Sequence, residues 1–255
     1  MAKANNIKAF STVESYIIEL YATHRLTPGD CIYETTIAEK LGLSRTPVRD
    51  ALGRLAANSF LEQTQGRRGY RIPVLSFEDL KDAFSARECL EEKIGSLAAQ
   101  KACSADVEIL RAINNKESSL FSAAGIQLEY MKANDVFHLY LAHITGNKYL
   151  KGMYEPVYWR CQLYVYYLGP FMEEEKALFS HDSYRSDTPH EHAEIIEAVA
   201  KRDSTAAGQL ALEHVRATFA HRLANQFSCP PEILKALLKI TEKRGQQDVY
   251  SDKEC

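Results

Sequence analysis

The chain has 255 residues, 45% of them hydrophobic and 25% charged, with a net charge of −3. These proportions exclude a collagen-like or largely disordered chain and leave room for two small folded domains. The charge is uneven: residues 1–73 carry ten Lys/Arg against seven Asp/Glu and the remainder twenty-one against twenty-seven, so a polyanionic partner suits the N-terminal part alone.

Helical periodicity begins near Ser11, where Val13, Ile17, Leu20 and Tyr21 share a face, and stops at the turn sequence Thr27-Pro28-Gly29-Asp30. A short helix over about 35–41 ends at Gly42. A third runs from about Arg45 to Asn58, with Ser44 as N-cap and Pro47 in its first turn. The stretch 60–73 turns strand-like around Gly66-Arg67-Arg68-Gly69 and reads as a hairpin with a basic tip. After Pro73 the period is helical again, opening on Ser76-Phe77-Glu78-Asp79, which resembles a capping box. The breaks Ser104, Gly125, Gly146-Asn147, Gly169-Pro170 and Asp203 divide this part into helices over about 77–101, 104–122, 126–146, 147–170, 172–181, 188–202 and 204–227. Beyond Pro230-Pro231 a short helical segment to about Lys243 precedes a polar tail, expected to be loose.

The predicted fold is therefore mainly α: a winged helix-turn-helix over 1–75, an all-helical antiparallel bundle of six or seven helices over 76–228, and a C-terminal segment over 229–255. No stretch reaches the roughly 18 uninterrupted apolar residues of a membrane span, and Met1–Asn6 lacks the apolar core of a signal peptide, so the expected location is the cytoplasm. Cys31, Cys89, Cys103, Cys161, Cys229 and Cys255 are scattered without a CxxC pair, which favours reduced thiols over a disulfide framework or a cysteine-based zinc site.

On the third helix Val48, Ala51, Leu52 and Leu55 form an inward arc at i, i+3, i+4, i+7 spacing, leaving Arg45, Thr46 and Arg49 on the other side. The first turn is where a recognition helix meets base edges and phosphates. An arginine fork can bond guanine O6 and N7 together, and threonine can meet phosphate or a thymine methyl. The amides at the helix start, Ser44 included, favour phosphate. Arg67 and Arg68 can reach the adjacent minor groove or backbone, and Arg54, further along the helix, could meet phosphate at most.

The run Leu26-Thr-Pro-Gly-Asp30, then Ile37-Ala-Glu-Lys-Leu-Gly-Leu-Ser-Arg-Thr-Pro-Val-Arg-Asp-Ala-Leu-Gly-Arg-Leu55, closing with Gly66-Arg-Arg-Gly-Tyr70, resembles the winged-helix domain of the GntR family. That resemblance implies a homodimer on a palindromic operator, with Ser44, Arg45, Thr46, Arg49 and the wing Gly66, Arg67, Arg68 and Gly69 at the DNA. The helical remainder is similar to the FCD effector domain of the FadR-type branch, through Arg87-Glu-Cys-Leu-Glu91, Asn134-Asp-Val-Phe-His-Leu139 with Gly146-Asn147, and His190-Glu-His192 through His214.

Asn134 and His138 lie one helical turn apart and can point at one centre. His192 and His214 fall on later helices that a bundle can bring alongside, and imidazole is a common ligand of divalent transition metals. By the resemblance, Asn134, His138, His192 and His214 would hold zinc or nickel, whose open positions bind a small carboxylate effector. An amide oxygen is a poorer ligand than a carboxylate, and Asp135, three residues before His138, has the spacing to substitute. Arg87 suits either a carboxylate clamp or a structural ion pair. Arg160, in the aromatic run 158–167, is a second candidate of that sort, and the aromatics themselves suit the core or a dimer face. The expected function is a ligand-responsive transcription regulator, in its commoner form a repressor, and not an enzyme. Two alternatives are a metalloenzyme using the three histidines, against which there is no HExxH, and a direct metal sensor.

Overall fold

The computed structural model describes residues 2–64, 69–121, 127–168 and 188–219. The N-terminal part comprises α1 (Ala2–Ala22), β1 (Cys31–Ile32), α2 (Glu34–Leu41), α3 (Arg45–Ala57), β2 (Glu62–Gln63) and β3 (Tyr70–Arg71). The remainder comprises six helices among the described residues: α4 (Phe77–Lys101), α5 (Ser104–Phe121), α6 (Gln127–Ile144), α7 (Lys148–Leu168), α8 (Thr188–Ala200) and α9 (Ser204–Ala217).

The expected helices that the described residues cover appear within a residue or two of their predicted ends, except α1, which starts nine residues before the periodic stretch at Ser11, and α9, whose helix ends at Ala217 whereas the expected one runs to 227, beyond the described residues. Gly42 and Gly146 close α2 and α6 in the left-handed conformation, with φ of 63° and 60°, which glycine adopts without steric penalty. The Ser76 hydroxyl accepts from the Asp79 amide at 3.1 Å and starts α4 as the capping box predicts. Ser44 occupies the N-cap of α3 in extended conformation, but its side chain makes no capping bond. The hairpin gains a third strand: β1 pairs antiparallel with β3, Cys31 opposite Arg71, and the order is β1-β3-β2. A two-residue strand carries no periodicity to read.

Val13, Ile17, Leu20, Ile37, Val48 and Leu52 are fully buried and form the core of the winged helix, each contributing about 1.5–3 kcal/mol on burial. In the helical part α4 and α9 cross closely. A Cβ at Gly95 would collide with the Ala207 carbonyl, and one at Gly208 would lie 2.9 Å from the Glu92 carbonyl oxygen.

Cys89, Cys103 and Cys161 are free thiols, but Cys31 is disulfide-bonded, against the expectation of reduced thiols throughout; scattered spacing in sequence does not show which cysteines meet in space. Cys229 and Cys255, the wing-tip residues Gly66, Arg67 and Arg68, the helix expected over 172–181 and the C-terminal segment 229–255 lie outside the described residues. No helix among the described residues is long and apolar enough to cross a membrane.

Candidate functional site

Two groups of side chains stand out. On α3, Val48, Ala51, Leu52 and Leu55 are buried, which turns the opposite face outward: Ser44, Arg45, Thr46, Arg49 and Arg54 are exposed. Among the described residues Arg45 makes a loose 3.9 Å contact to Glu34 of α2. Gly69 lies buried at the base of the wing, where its carbonyl accepts from the Thr64 amide at 3.2 Å and hydroxyl at 3.1 Å.

The second group lies inside the bundle. His138 of α6, His192 of α8 and His214 of α9 each offer a ring nitrogen, and these atoms all lie within 4.8 Å of one another. The imidazoles are 1%, 0% and 5% exposed. Their approach brings α6 against the consecutive helices α8 and α9, and the Phe137 ring stacks on His192 at 3.8 Å to fix its plane.

A carboxylate accepts a hydrogen bond from Nδ1 of each histidine: Glu91 from His138 at 3.2 Å, Glu117 from His192 at 2.7 Å and Glu191 from His214 at 2.6 Å. A neutral imidazole has one N–H, so a proton on Nδ1 leaves the lone pair on Nε2. Burial keeps His138 neutral, its pKa lowered to about 3 against the pull of Glu91, and burial with the neighbouring His214 keeps His192 neutral as well. Although burial opposes ionisation of Glu91, the Arg87 guanidinium and the hydrogen bonds from His138 and Tyr154 hold its carboxyl well below the usual range.

His192 Nε2 is buried with no hydrogen-bond partner, whereas buried polar atoms are almost always paired. The orphaned His192 Nε2, beside the rings of His138 and His214 whose Nδ1 atoms likewise face carboxylates, belongs to a donor set that could hold zinc or a similar cation at about 2.0–2.1 Å after modest ring rotation. The expected fourth member, Asn134, is tied to the cluster indirectly: its amide donates to Glu117 at 3.1 Å. Asp135 points elsewhere, accepting from Tyr158 (2.7 Å), Gln162 (2.9 Å) and Tyr166 (2.6 Å), because adjacent helical residues project about 100° apart.

Arg87 is at the site. Its guanidinium pairs with Glu91 at 3.0 Å, donates to His138 Nε2 at 3.3 Å and lies 4.8 Å over the Tyr158 ring. Arg160 is not brought there; it donates to Asp79 at 2.7 Å near the junction with the winged helix. It lines a cleft of about 1350 Å³ with Ala56, Tyr70, Arg71 and Val157.

Helix α7 touches both the surroundings of the histidine cluster and the winged helix. Tyr154 donates to Glu91 and Tyr158 to Asp135. From the same helix, Trp159 packs edge-on against Phe60, Tyr167 stacks on Tyr21, and the Tyr167 carbonyl accepts from His24 at 2.8 Å. The aromatic run thus fills the core with polar-tipped rings. Sequence reasoning missed the roles of Glu91, Glu117 and Glu191. The i, i+4 spacing of Arg87 and Glu91 was a usable signal, but nothing local marks Glu117.

Comparison with known proteins supplies the context. Residues 10–72 match the family described as bacterial regulatory proteins, gntR family, and residues 82–217 match the FCD domain. The chain is 31% identical to the HTH-type transcriptional regulator LutR of Bacillus subtilis (strain 168), over 74% of this chain and 90% of that protein. It is 33% identical to the Nta operon transcriptional regulator of Aminobacter aminovorans over half of this chain, and the match spans 60% of that relative's length. Among solved structures, E. coli McbR/YncC superposes with a TM-score of 0.66 at 21% identity, covering 83% of this chain and 95% of that one, a likeness of fold.

Proposed function

As a member of the gntR family with an FCD domain, the chain is a DNA-binding transcriptional regulator rather than an enzyme, and we propose that it is a repressor switched by a small organic acid held at the three-histidine site. In this reading residues 1–75 are the DNA-binding unit, 76–228 the effector-binding and dimerisation unit, and 229–255 an appended segment. A homodimer places two α3 helices in successive major grooves of a palindromic operator. Arg45 and Arg49 read bases, Thr46 and Ser44 meet phosphate or a thymine methyl, and Arg67 and Arg68 approach the flanking groove from a wing whose base Gly69 shapes.

At the effector end, His138, His192 and His214 present Nε2 to a divalent cation, zinc or nickel, which when bound supplies a Lewis-acid anchor for one carboxylate oxygen of the effector. Arg87, released from His138 Nε2, is placed to bind the other oxygen through its planar fork. Glu91 keeps that guanidinium inside the site. Tyr154 and Tyr158 connect Glu91 and Arg87 to α7, whose Trp159 and Tyr167 bear on the winged helix, so occupancy of the site and placement of the DNA-reading helix are linked reciprocally. Arg160 and Asp79 belong to that junction.

The observation carrying this reading is the orphaned, fully buried His192 Nε2 beside two further buried imidazoles. The test is the metal content of the purified full chain, with thermal shifts against a panel of small carboxylates with and without chelator. Stabilisation by an acid that disappears on chelation is expected. A chain that takes up neither zinc nor nickel would overturn the metal-held effector, and operator release by metal alone would replace it with direct metal sensing.

A further inference from the structure

We propose that Glu117 is the positioning residue that lets this site hold a divalent cation without a carboxylate in its coordination shell, by fixing His192 with Nε2 as ligand atom and engaging the Asn134 amide as its own donor. The inference rests on the metal reading above. Glu117 is fully buried, and its two oxygens are divided between the partners: Oε2 accepts from His192 Nδ1 at 2.7 Å and Oε1 from Asn134 Nδ2 at 3.1 Å. An amide at position 134 can donate to a buried carboxylate, whereas an aspartate there would face Glu117 at hydrogen-bond distance with like charge. Asn134 and Glu117 are therefore a matched pair. The negative charge that Asn134 lacks sits on the neighbouring helix, one hydrogen bond behind the imidazole.

The same arrangement recurs at Glu91–His138 and Glu191–His214, so all three ligands are oriented alike from behind. Carboxylates bonded to the far nitrogen of ligating histidines fix the ring and raise its basicity. Glu117 differs from Glu191, which is 29% exposed, in being shut away from solvent completely, and from Glu91 in engaging the Asn134 amide.

Zinc affinity of the full-length wild type, E117Q, N134A and H192A, measured by competition with a chromophoric chelator, tests this, with far-UV circular dichroism and melting of the metal-free proteins as fold controls. We expect E117Q to bind zinc about 10–100-fold more weakly, N134A to lose less than E117Q, and H192A to lose most. Wild-type affinity in E117Q would overturn the proposal, as would a loss in N134A equal to that in H192A, which puts Asn134 in the coordination shell. If E117Q does not fold, histidine nitrogen NMR of the zinc-loaded wild type decides: all three imidazoles should carry the proton on Nδ1, and coordination of His192 through Nδ1 overturns the assignment. A wild type that binds no zinc or nickel refutes the metal reading itself, an outcome separate from these.

Discussion

Arg45 and Arg49 face outward on the first turns of α3 because Val48, Ala51, Leu52 and Leu55 claim the inward arc, so removing either guanidinium leaves the core intact. R45A and R49A should each lose about 1–3 kcal/mol of base discrimination with an unchanged melting temperature. Footprints identical to wild type for both would sink their assignment as base readers. Asp135 is a different kind of residue: burial raises its pKa to about 7, against the hydrogen bonds from Tyr166 and Tyr158. The native state thus keeps a proton that the unfolded chain releases near pH 4. Asp135 stabilises the fold fully below about pH 4, and that contribution is lost as pH rises through about 7, falling by roughly 1.4 kcal/mol for each step of one in pH between those limits. The melting temperature of the wild type should therefore fall relative to D135N between pH 5 and pH 8. Parallel profiles for the two proteins would show that the carboxyl is already ionised at pH 5.

The elements were largely legible, because caps and breakers are local. Ser76, Gly42, Gly146 and Asp203 fix helix ends through hydrogen bonds within a few residues, and the i, i+3, i+4 pattern of α3 assigned its faces without tertiary information. Contacts between elements were not legible. Nothing near Gly95 or Gly208 in sequence indicates that α4 and α9 approach until the Gly208 Cβ position lies 2.9 Å from the Glu92 carbonyl oxygen. G208A should destabilise the protein by about 1–3 kcal/mol through overpacking of two backbones that cannot both yield, read as a lower midpoint in urea. An unchanged midpoint would mean that the two helices part freely. Likewise α7 read as an aromatic core or dimer helix, whereas its tyrosine hydroxyls serve Glu91, Asp79 and Asp135 from one continuous element.

Across the whole molecule, α7 is the physical connection between the histidine cluster and the winged helix. Trp159, the single tryptophan of the chain, lies on it and packs edge-on against Phe60 with ring centroids 5.9 Å apart. If occupancy of the site shifts that junction, zinc together with a stabilising carboxylate should shift the Trp159 emission maximum, and operator DNA should shift it in the opposite sense. Calorimetric binding of both ligands with an unmoved emission spectrum would break the proposed link through α7. The cleft of about 1350 Å³ beside Arg160 is where such movement has room.

The sequence by itself determined the winged helix, the outward Arg45, Thr46 and Arg49 and the helical FCD domain, since these depend on residue type and short-range periodicity, and the resemblance to the family singled out the three histidines. Tertiary structure alone decided that Glu91, Glu117 and Glu191 stand behind the imidazoles, that Asn134 serves Glu117, and that Arg160 lies at the domain junction rather than beside His138. Those facts turn on which helices meet and at what depth. A carboxylate 75 positions from its histidine leaves no trace in local pattern, yet the exclusion of water around it determines what charge the site will accept.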